Sequence, residues 1–121
     1  METLAFLHGL SARVLIAYAV VLGLWGGYGY FRHARISAGF RSSYLIMAAI
    51  TPLQGLFGGI LFLFGSRPFE ILHVVYGIFA VLFVPGAYLY ARGSDARREA
   101  LVLAGACWIV SIAYFRGIST G

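Results

Sequence analysis

The fold is decided by LQGLFGG at residues 53–59 and LHVVYG at residues 72–77, two apolar segments separated by a short polar turn. Each is typical of a glycine-containing helix, and together they carry one glutamine, Gln54, and one histidine, His73. Polar groups inside an apolar segment cost free energy unless a partner satisfies them. These two residues therefore indicate either a specific packing contact or a binding site.

Composition places the whole chain in a membrane. Of its 121 residues, 61% are hydrophobic and 11% are charged, against about half and about a quarter in soluble domains. A spanning helix needs about 20 apolar residues, and backbone groups in lipid must be satisfied internally. Four blocks approach or meet this length: Val14–Phe31, Tyr44–Gly65, Ile71–Ala91 and the shortest, Ala100–Phe115.

The sequence therefore predicts an all-α membrane protein, a four-transmembrane-helix antiparallel bundle forming a single domain. The expected helices cover residues 3–31, 41–65, 68–91 and 97–116. A membrane β-barrel would instead show alternating segments of about ten residues. Glu2 stands where a signal peptide has a basic region, so we expect the first helix to be retained.

The arginines predict the orientation. Six of them flank the first and third loops, while the other side carries the remaining three, Arg13, Arg67 and Arg116. By the positive-inside rule these two loops are cytoplasmic and both termini lie outside. We expect a multi-pass protein of a prokaryotic cytoplasmic (inner) membrane, in contact with the lipid bilayer. Because the arginines are scattered over loops, no nucleic-acid partner is expected.

Two histidines carry the candidate chemistry. In this topology His8 and His73 lie near the same ends of two parallel helices, so their rings can face each other across the bundle. Two imidazoles from facing helices can hold a haem iron from both sides. Counted from Arg32 and Arg92, however, the two histidines differ in height by about 7 Å at 1.5 Å per residue. Hydrogen-bonded packing histidines are the alternative interpretation.

Other residues have expected places in or around this bundle. Glycines next to the histidines and on the second helix give room for a flat macrocycle, and arginines can pair with its propionates. Gly23, Gly26, Gly27 and Gly29 give the first helix a small-residue face, and its Gly-x-x-x-Gly from Gly23 to Gly27 permits a close helix contact. His33 is expected to be solvated and Cys107 to be apolar filler. An interfacial aromatic belt is expected from Tyr28, Tyr30, Tyr44, Tyr88 and Tyr90.

The segment from Leu53 to Leu61, a short loop with proline and then Leu72-His73 heading a helix resembles one half of haem A synthase, in its third-to-fourth helix region. The first helix, with Leu7-His8 before Arg13, is similar to the helix that carries the other ligand in that family. The resemblance implies a four-helix half-bundle holding haem b between two histidine ligands. On it, the metal ligands are His8 and His73. Together with the residue-based reasoning above, the predicted cofactor site also includes Gln54, Gly55, Gly58, Gly59, Arg13 and Arg67.

The chain also departs from that family. Haem A synthase contains two such bundles, and its catalytic half has a glutamate three residues before a ligand histidine, where this chain has Ala5. Enzymatic methyl hydroxylation is therefore not expected. A haem with both axial positions filled transfers electrons. This favours a small b-type cytochrome or an accessory subunit of a respiratory or photosynthetic complex, with pairing of two copies as a further hypothesis.

Two other classes remain in view. One is a haem-free structural or assembly subunit that packs against a larger membrane complex through its glycine faces. The other is a transporter, which is disfavoured because the polar residues along a pathway are only Gln54, Thr51, Ser11 and Ser111. Transport pathways usually carry an ionisable residue at depth.

Overall fold

The computed structural model describes residues 2–65 and 71–120. These residues form four helices, α1 (Glu2–His33), α2 (Ala38–Leu63), α3 (Leu72–Ala91) and α4 (Ala96–Thr120), and contain no strand. The all-α class predicted from the sequence is confirmed. The expected turn around Pro68, with Arg67 and the expected start of the third helix, lies outside the described residues.

All four helices are long and apolar enough to cross a membrane. The shortest, α3, has 20 residues, which at 1.5 Å per residue gives about 30 Å, the thickness of the hydrocarbon core. The protein is therefore a multi-pass membrane protein in a lipid bilayer. The fourth helix is longer than expected, because it continues through Thr120.

The helices form a ring in chain order. Helix α1 packs against α2 and α4, and α3 packs against the same two neighbours. Consecutive helices joined by short loops alternate in direction, so α1 and α3 are parallel and lie diagonally across the bundle. The α2–α3 contact is the sparsest of the four. This leaves space between the helices that the site described below occupies.

Glycines of α1 allow the closest contacts. A Cβ atom at Gly23 would lie 2.8 Å from Cε2 of Trp108, and one at Gly26 would lie 2.8 Å from Cε2 of Phe40. Trp108 Nε1 also donates a hydrogen bond of 3.1 Å to the Gly23 carbonyl. Of the predicted face of Gly23, Gly26, Gly27 and Gly29, only Gly27 departs, because a Cβ there would meet no atom within 4 Å, so the Gly23–Gly27 pair does not form the contact. The buried face instead repeats every three residues, through Gly23, Gly26 and Gly29.

Buried hydroxyls cross-link the helices. Tyr44 is fully buried and its phenol donates to the Val84 carbonyl at 2.7 Å. Thr51 and Tyr114 share a hydrogen bond between their hydroxyls. The expected place of Tyr44 in an interfacial belt is therefore wrong, because its hydroxyl has a backbone partner inside the bundle. Cys107 is a buried core residue without a disulfide, as expected.

Candidate functional site

His8 and His73 meet inside the bundle. His8 lies about two turns into α1, and His73 is the second residue of α3. Their ring centroids are 6.0 Å apart, with an interplanar angle of 67°. The height difference counted from the loop arginines therefore does not separate the rings. The expectation that the two histidines face each other holds in the structure.

A helix end orients His73. Its Nδ1 lies 2.7 Å from the carbonyl oxygen of Gly117, which belongs to the last turn of α4, where carbonyls lack the usual backbone partners. Since a carbonyl only accepts hydrogen bonds, Nδ1 is the donor. In the neutral ring this leaves the lone pair on Nε2, the arrangement found in metal-ligating histidines.

Gln54 fixes the backbone that carries His8. Its Nε2 donates to the His8 carbonyl at 2.7 Å, and its Oε1 contacts the Ser11 hydroxyl. The side chain of Gln54 therefore ties α2 to α1 and acts on the site through the position of His8. The Nδ1 atom of His8 is buried and has no hydrogen-bond partner among the described residues, a condition that costs free energy unless a ligand relieves it.

The two rings border a cavity of about 1110 Å³ that is lined by all four helices. Its lining is mostly apolar and contains no acidic residue among those described, whereas it includes Arg13, which is exposed. Thr51, Tyr114 and Gln54 add neutral polar groups. The chemistry of the lining suits an apolar ligand that carries an electronegative or anionic group.

Six glycines line this cavity, and they fall into two groups. Two are packed against protein: a Cβ at Gly55 would lie 3.1 Å from Val81 Cγ2, and one at Gly58 would lie 2.8 Å from His8 Cε1. The other four meet no atom within 4 Å and come one from each helix: Gly9, Gly59, Gly77 and Gly117. The free space therefore lies beside this second group.

The cavity brings together most of the residues singled out from the sequence. His8, His73, Gln54, Gly55, Gly58, Gly59 and Arg13 all line it, and Arg67 lies outside the described residues. His33 is exposed at the other end of α1.

Four polar or glycine residues of the cavity are not among those that the sequence assigns to the site: Thr51, Tyr76, Tyr114 and Gly117. Gly117 lies beyond the predicted end of the fourth helix at residue 116. The residues that follow gave no sequence signal for this extension, because serine and threonine are weak helix formers; in the structure, Ser119 and Thr120 hydroxyls donate to the Arg116 carbonyl at 3.0 and 2.7 Å.

The histidine pair does not by itself make a protein-only metal site. Among the described residues no three histidine, cysteine, aspartate or glutamate side chains are close enough to share an ion. Structural and catalytic zinc sites take at least three protein ligands. A metal ion held between His8 and His73 would therefore need its other ligands from a cofactor.

Comparison with known proteins gives no family for the chain. No family model, no curated protein and no solved structure matches it. The resemblance to haem A synthase stays a hypothesis that rests on the residues quoted for it.

Proposed function

We propose that this protein is a small integral-membrane b-type cytochrome that holds one haem between His8 and His73 and transfers electrons. The observation that carries the proposal is the approach of the two imidazoles, 6.0 Å between centroids, from diagonally opposed helices. The surrounding cavity and the hydrogen bond on His73 support it.

The spacing fits two axial ligands on one metal ion. Imidazole nitrogens bind metal ions at about 2 Å, so two nitrogens on opposite sides are about 4 Å apart and their ring centroids about 6 Å. Rotating a ring about the ligand axis does not change these distances, so an angle of 67° is compatible with ligation. With Nδ1 of His73 engaged by Gly117, Nε2 is the atom available to iron.

The cavity offers room for the rest of the group. Space beside the rings remains at the four glycines where a Cβ would meet no atom within 4 Å, and the apolar lining suits a macrocycle. Arg13 is the described cation that lines this space, and it is the candidate for pairing with a propionate. Arg67 is kept as a second candidate from the sequence alone.

The ligand set indicates the kind of chemistry. Haem supplies a reversible one-electron change at iron, and two histidine ligands leave no open position for oxygen or substrate. Ala5 stands where the catalytic glutamate of haem A synthase is expected. We therefore assign electron transfer, and we place the protein as an accessory subunit of a respiratory or photosynthetic complex.

The test is an absorption spectrum of the purified full chain, oxidised and dithionite-reduced, with a pyridine haemochrome assay. We expect near-stoichiometric haem b and a sharp reduced α-band that both His8→Ala and His73→Ala abolish. The matched control is His33→Ala, since His33 is exposed at the other end of α1. A flat visible spectrum from protein made with ample haem would refute the cytochrome.

A haem-free subunit of a larger membrane complex is the second candidate. It is favoured by large apolar side chains that are exposed on the outside of the bundle, such as Phe6 at 66% and Ile112 at 65%. In this function the histidine substitutions change stability only, and the protein co-purifies with a larger complex. Pairing of two copies is also tested by size, because a monomer in mild detergent contradicts it.

We further propose that both termini lie outside a prokaryotic cytoplasmic membrane. Five exposed arginines and Arg41 lie at the bundle end that holds the two described loops, residues 34–37 and 92–95. An impermeant maleimide, applied to intact cells, should label a cysteine placed at Thr3 and not one at Ser94, both in a Cys107→Ala background. The reverse labelling pattern would overturn the orientation.

A further inference from the structure

A second groove runs along the outer faces of α3 and α4, and Leu82 lines both this groove and the histidine cavity. Its volume is about 740 Å³, and apart from Tyr90 at one end its lining residues are apolar. The floor contains Gly86 and Gly105, where a Cβ would meet no atom within 4 Å. No protein group among the described residues fills this space.

The length of the groove matches one leaflet of a bilayer. On α3 the lining extends from Phe79 to Tyr90, which corresponds to about 16 Å at 1.5 Å per residue. Half of a hydrocarbon core about 30 Å thick is about 15 Å. A lipid acyl chain that starts at the Tyr90 end would thus reach the middle of the membrane at Phe79.

Positive charge lies at the Tyr90 end. Arg98 precedes Leu101 and Gly105 on α4 by three and seven residues, a spacing that places all three on one helix face. Its Nη2 donates to the Tyr90 phenol at 2.5 Å, and its Cζ lies 5.0 Å from the ring centroid. Arg98 therefore stands at the head of the groove.

The acids nearby are already engaged. Asp95 accepts a hydrogen bond of 2.8 Å from the backbone nitrogen of Arg98, at the start of α4. Glu99 binds Arg41 at 2.6 Å. Arg92 and Arg97 are exposed in the same region, so this end of the groove carries an excess of positive charge.

We propose that the groove binds an anionic phospholipid, whose acyl chain lies over Gly86 and Gly105 and whose phosphate is bound by Arg98. Three features favour a lipid. The groove is apolar and one leaflet long, no atom of the described residues occupies the space beside Gly86 and Gly105, and Arg98 lies next to Tyr90 at one end. Arginine donates in a planar fork that suits phosphate, and several of its five N–H groups remain for the ligand beside the bond to Tyr90.

The test uses the full-length protein in mild detergent, titrated with phosphatidylglycerol and with phosphatidylcholine of the same acyl chains, with bound lipid read by native mass spectrometry. We expect phosphatidylglycerol to bind more tightly. Arg98→Gln should weaken it about fivefold, the change produced by about 1 kcal/mol per basic residue. Gly105→Leu, which fills the floor, should weaken both lipids.

Two control variants separate the groove from the general surface. Arg32→Gln removes an exposed arginine from α1, and Gly27→Leu adds a side chain where a Cβ meets no atom within 4 Å. Both should bind phosphatidylglycerol as the parent does, and circular dichroism should show unchanged helicity for all four variants. Equal losses in Arg32→Gln and Arg98→Gln would overturn the site.

The remaining outcomes also decide the proposal. Equal affinity for the two lipids, or inorganic phosphate displacing phosphatidylglycerol at comparable concentrations, would overturn the assignment to a lipid with an anionic headgroup. A dimer that Gly105→Leu dissociates, with no lipid retained, would show that a second copy occupies the groove instead. Selective retention that depends on both Arg98 and Gly105 establishes the lipid site.

Discussion

The His8 ring lies directly against the backbone of Gly58, because a Cβ atom at position 58 would be 2.8 Å from Cε1 of His8. Gln54, one turn earlier on α2, donates to the His8 carbonyl at 2.7 Å. Residues four apart lie on the same helix face. One face of α2 therefore holds both the main chain and the ring of His8.

This contact predicts the effect of Gly58→Ala. The added methyl overlaps the imidazole, so the His8 ring must shift or α2 must move away from α1. We expect haem content to fall strongly. The overlap lowers the free energy of unfolding by about 1 to 3 kcal/mol, as in other overpacked sites, and the better helix propensity of alanine offsets at most about 1 kcal/mol of this loss. Haem is measured by the pyridine haemochrome assay and stability by denaturant titration.

The neighbouring residue supplies the control for this prediction. Gly59→Ala adds the same methyl where no atom lies within 4 Å, and alanine is the better helix former by up to about 1 kcal/mol. It should therefore keep or raise stability. If both variants lose haem and stability equally, the contact between Gly58 and His8 does not decide the site.

Replacement of Gln54 by methionine tests the second contact. The substitution keeps the length of the side chain and removes the donor to His8. Interhelical hydrogen bonds in membranes contribute about 0.6 kcal/mol on average and at most about 1.7 kcal/mol, so we expect a loss of stability in that range. The displaced His8 should also shift or broaden the reduced α-band, an effect that lost packing alone does not produce.

The control for Gln54→Met is Ser111→Ala. Ser111 is buried and its hydroxyl donates at 2.6 Å to the Cys107 carbonyl of its own helix. Its loss removes a buried hydroxyl without separating two helices, and the spectrum should not change. An α-band that is identical in Gln54→Met and the parent would contradict the positioning role.

Residue patterns predicted the helices more completely than their packing. Unbroken apolar runs are sufficient for four spanning helices, since lipid admits few other backbone structures. They do not state which glycine faces a neighbour, and so the predicted glycine face includes Gly27 beside Gly26, although a Cβ would meet a neighbour only at Gly26. Tyr44 is predicted at the interface for a similar reason. Its hydrogen-bond partner is a backbone carbonyl 40 positions away in the sequence, which no local pattern indicates.

The sequence predicts the two histidines of the site but only some of the residues around them. His8 and His73 were found because ionisable rings are rare in apolar helices and the loop charges placed both at one end. The division of the glycines into packed and open groups depends on three-dimensional contacts, which no local pattern encodes. The bond between His73 and Gly117 depends on how far α4 extends, and helix ends are the least reliable part of a sequence prediction.

If the cavity holds haem as proposed, filling it should prevent haem binding and spare the fold. Gly77→Leu places a side chain into space where a Cβ meets no atom within 4 Å. We expect haem content to fall by most of its value, while thermal unfolding of the haem-free protein stays at or above the parent temperature, since leucine favours helix over glycine. Gly27→Leu, which also meets open space but does not line the cavity, should retain haem. Full haem occupancy in Gly77→Leu would place the cofactor elsewhere.

The last prediction concerns the ion pair that joins the first turns of α2 and α4. Arg41 donates from Nη2 to Oε1 of Glu99 at 2.6 Å and from Nε to Oε2 at 3.1 Å, a two-point contact. The side chains are 37% and 19% exposed, so solvent weakens the pair, and we expect a coupling free energy of at most about 1 kcal/mol. A double-mutant cycle with Arg41→Gln and Glu99→Gln measures it.

The coupling should decrease as salt is raised, and Arg41→Lys should keep only part of it because lysine lacks the planar fork. Arg35→Gln, at an exposed arginine of the loop that precedes α2, should show no coupling to Glu99→Gln. A coupling that is absent at low salt would show that the two-point contact does not stabilise the packing of α2 and α4. A coupling that is as large for Arg35 as for Arg41 would show that general charge at this end has the effect instead.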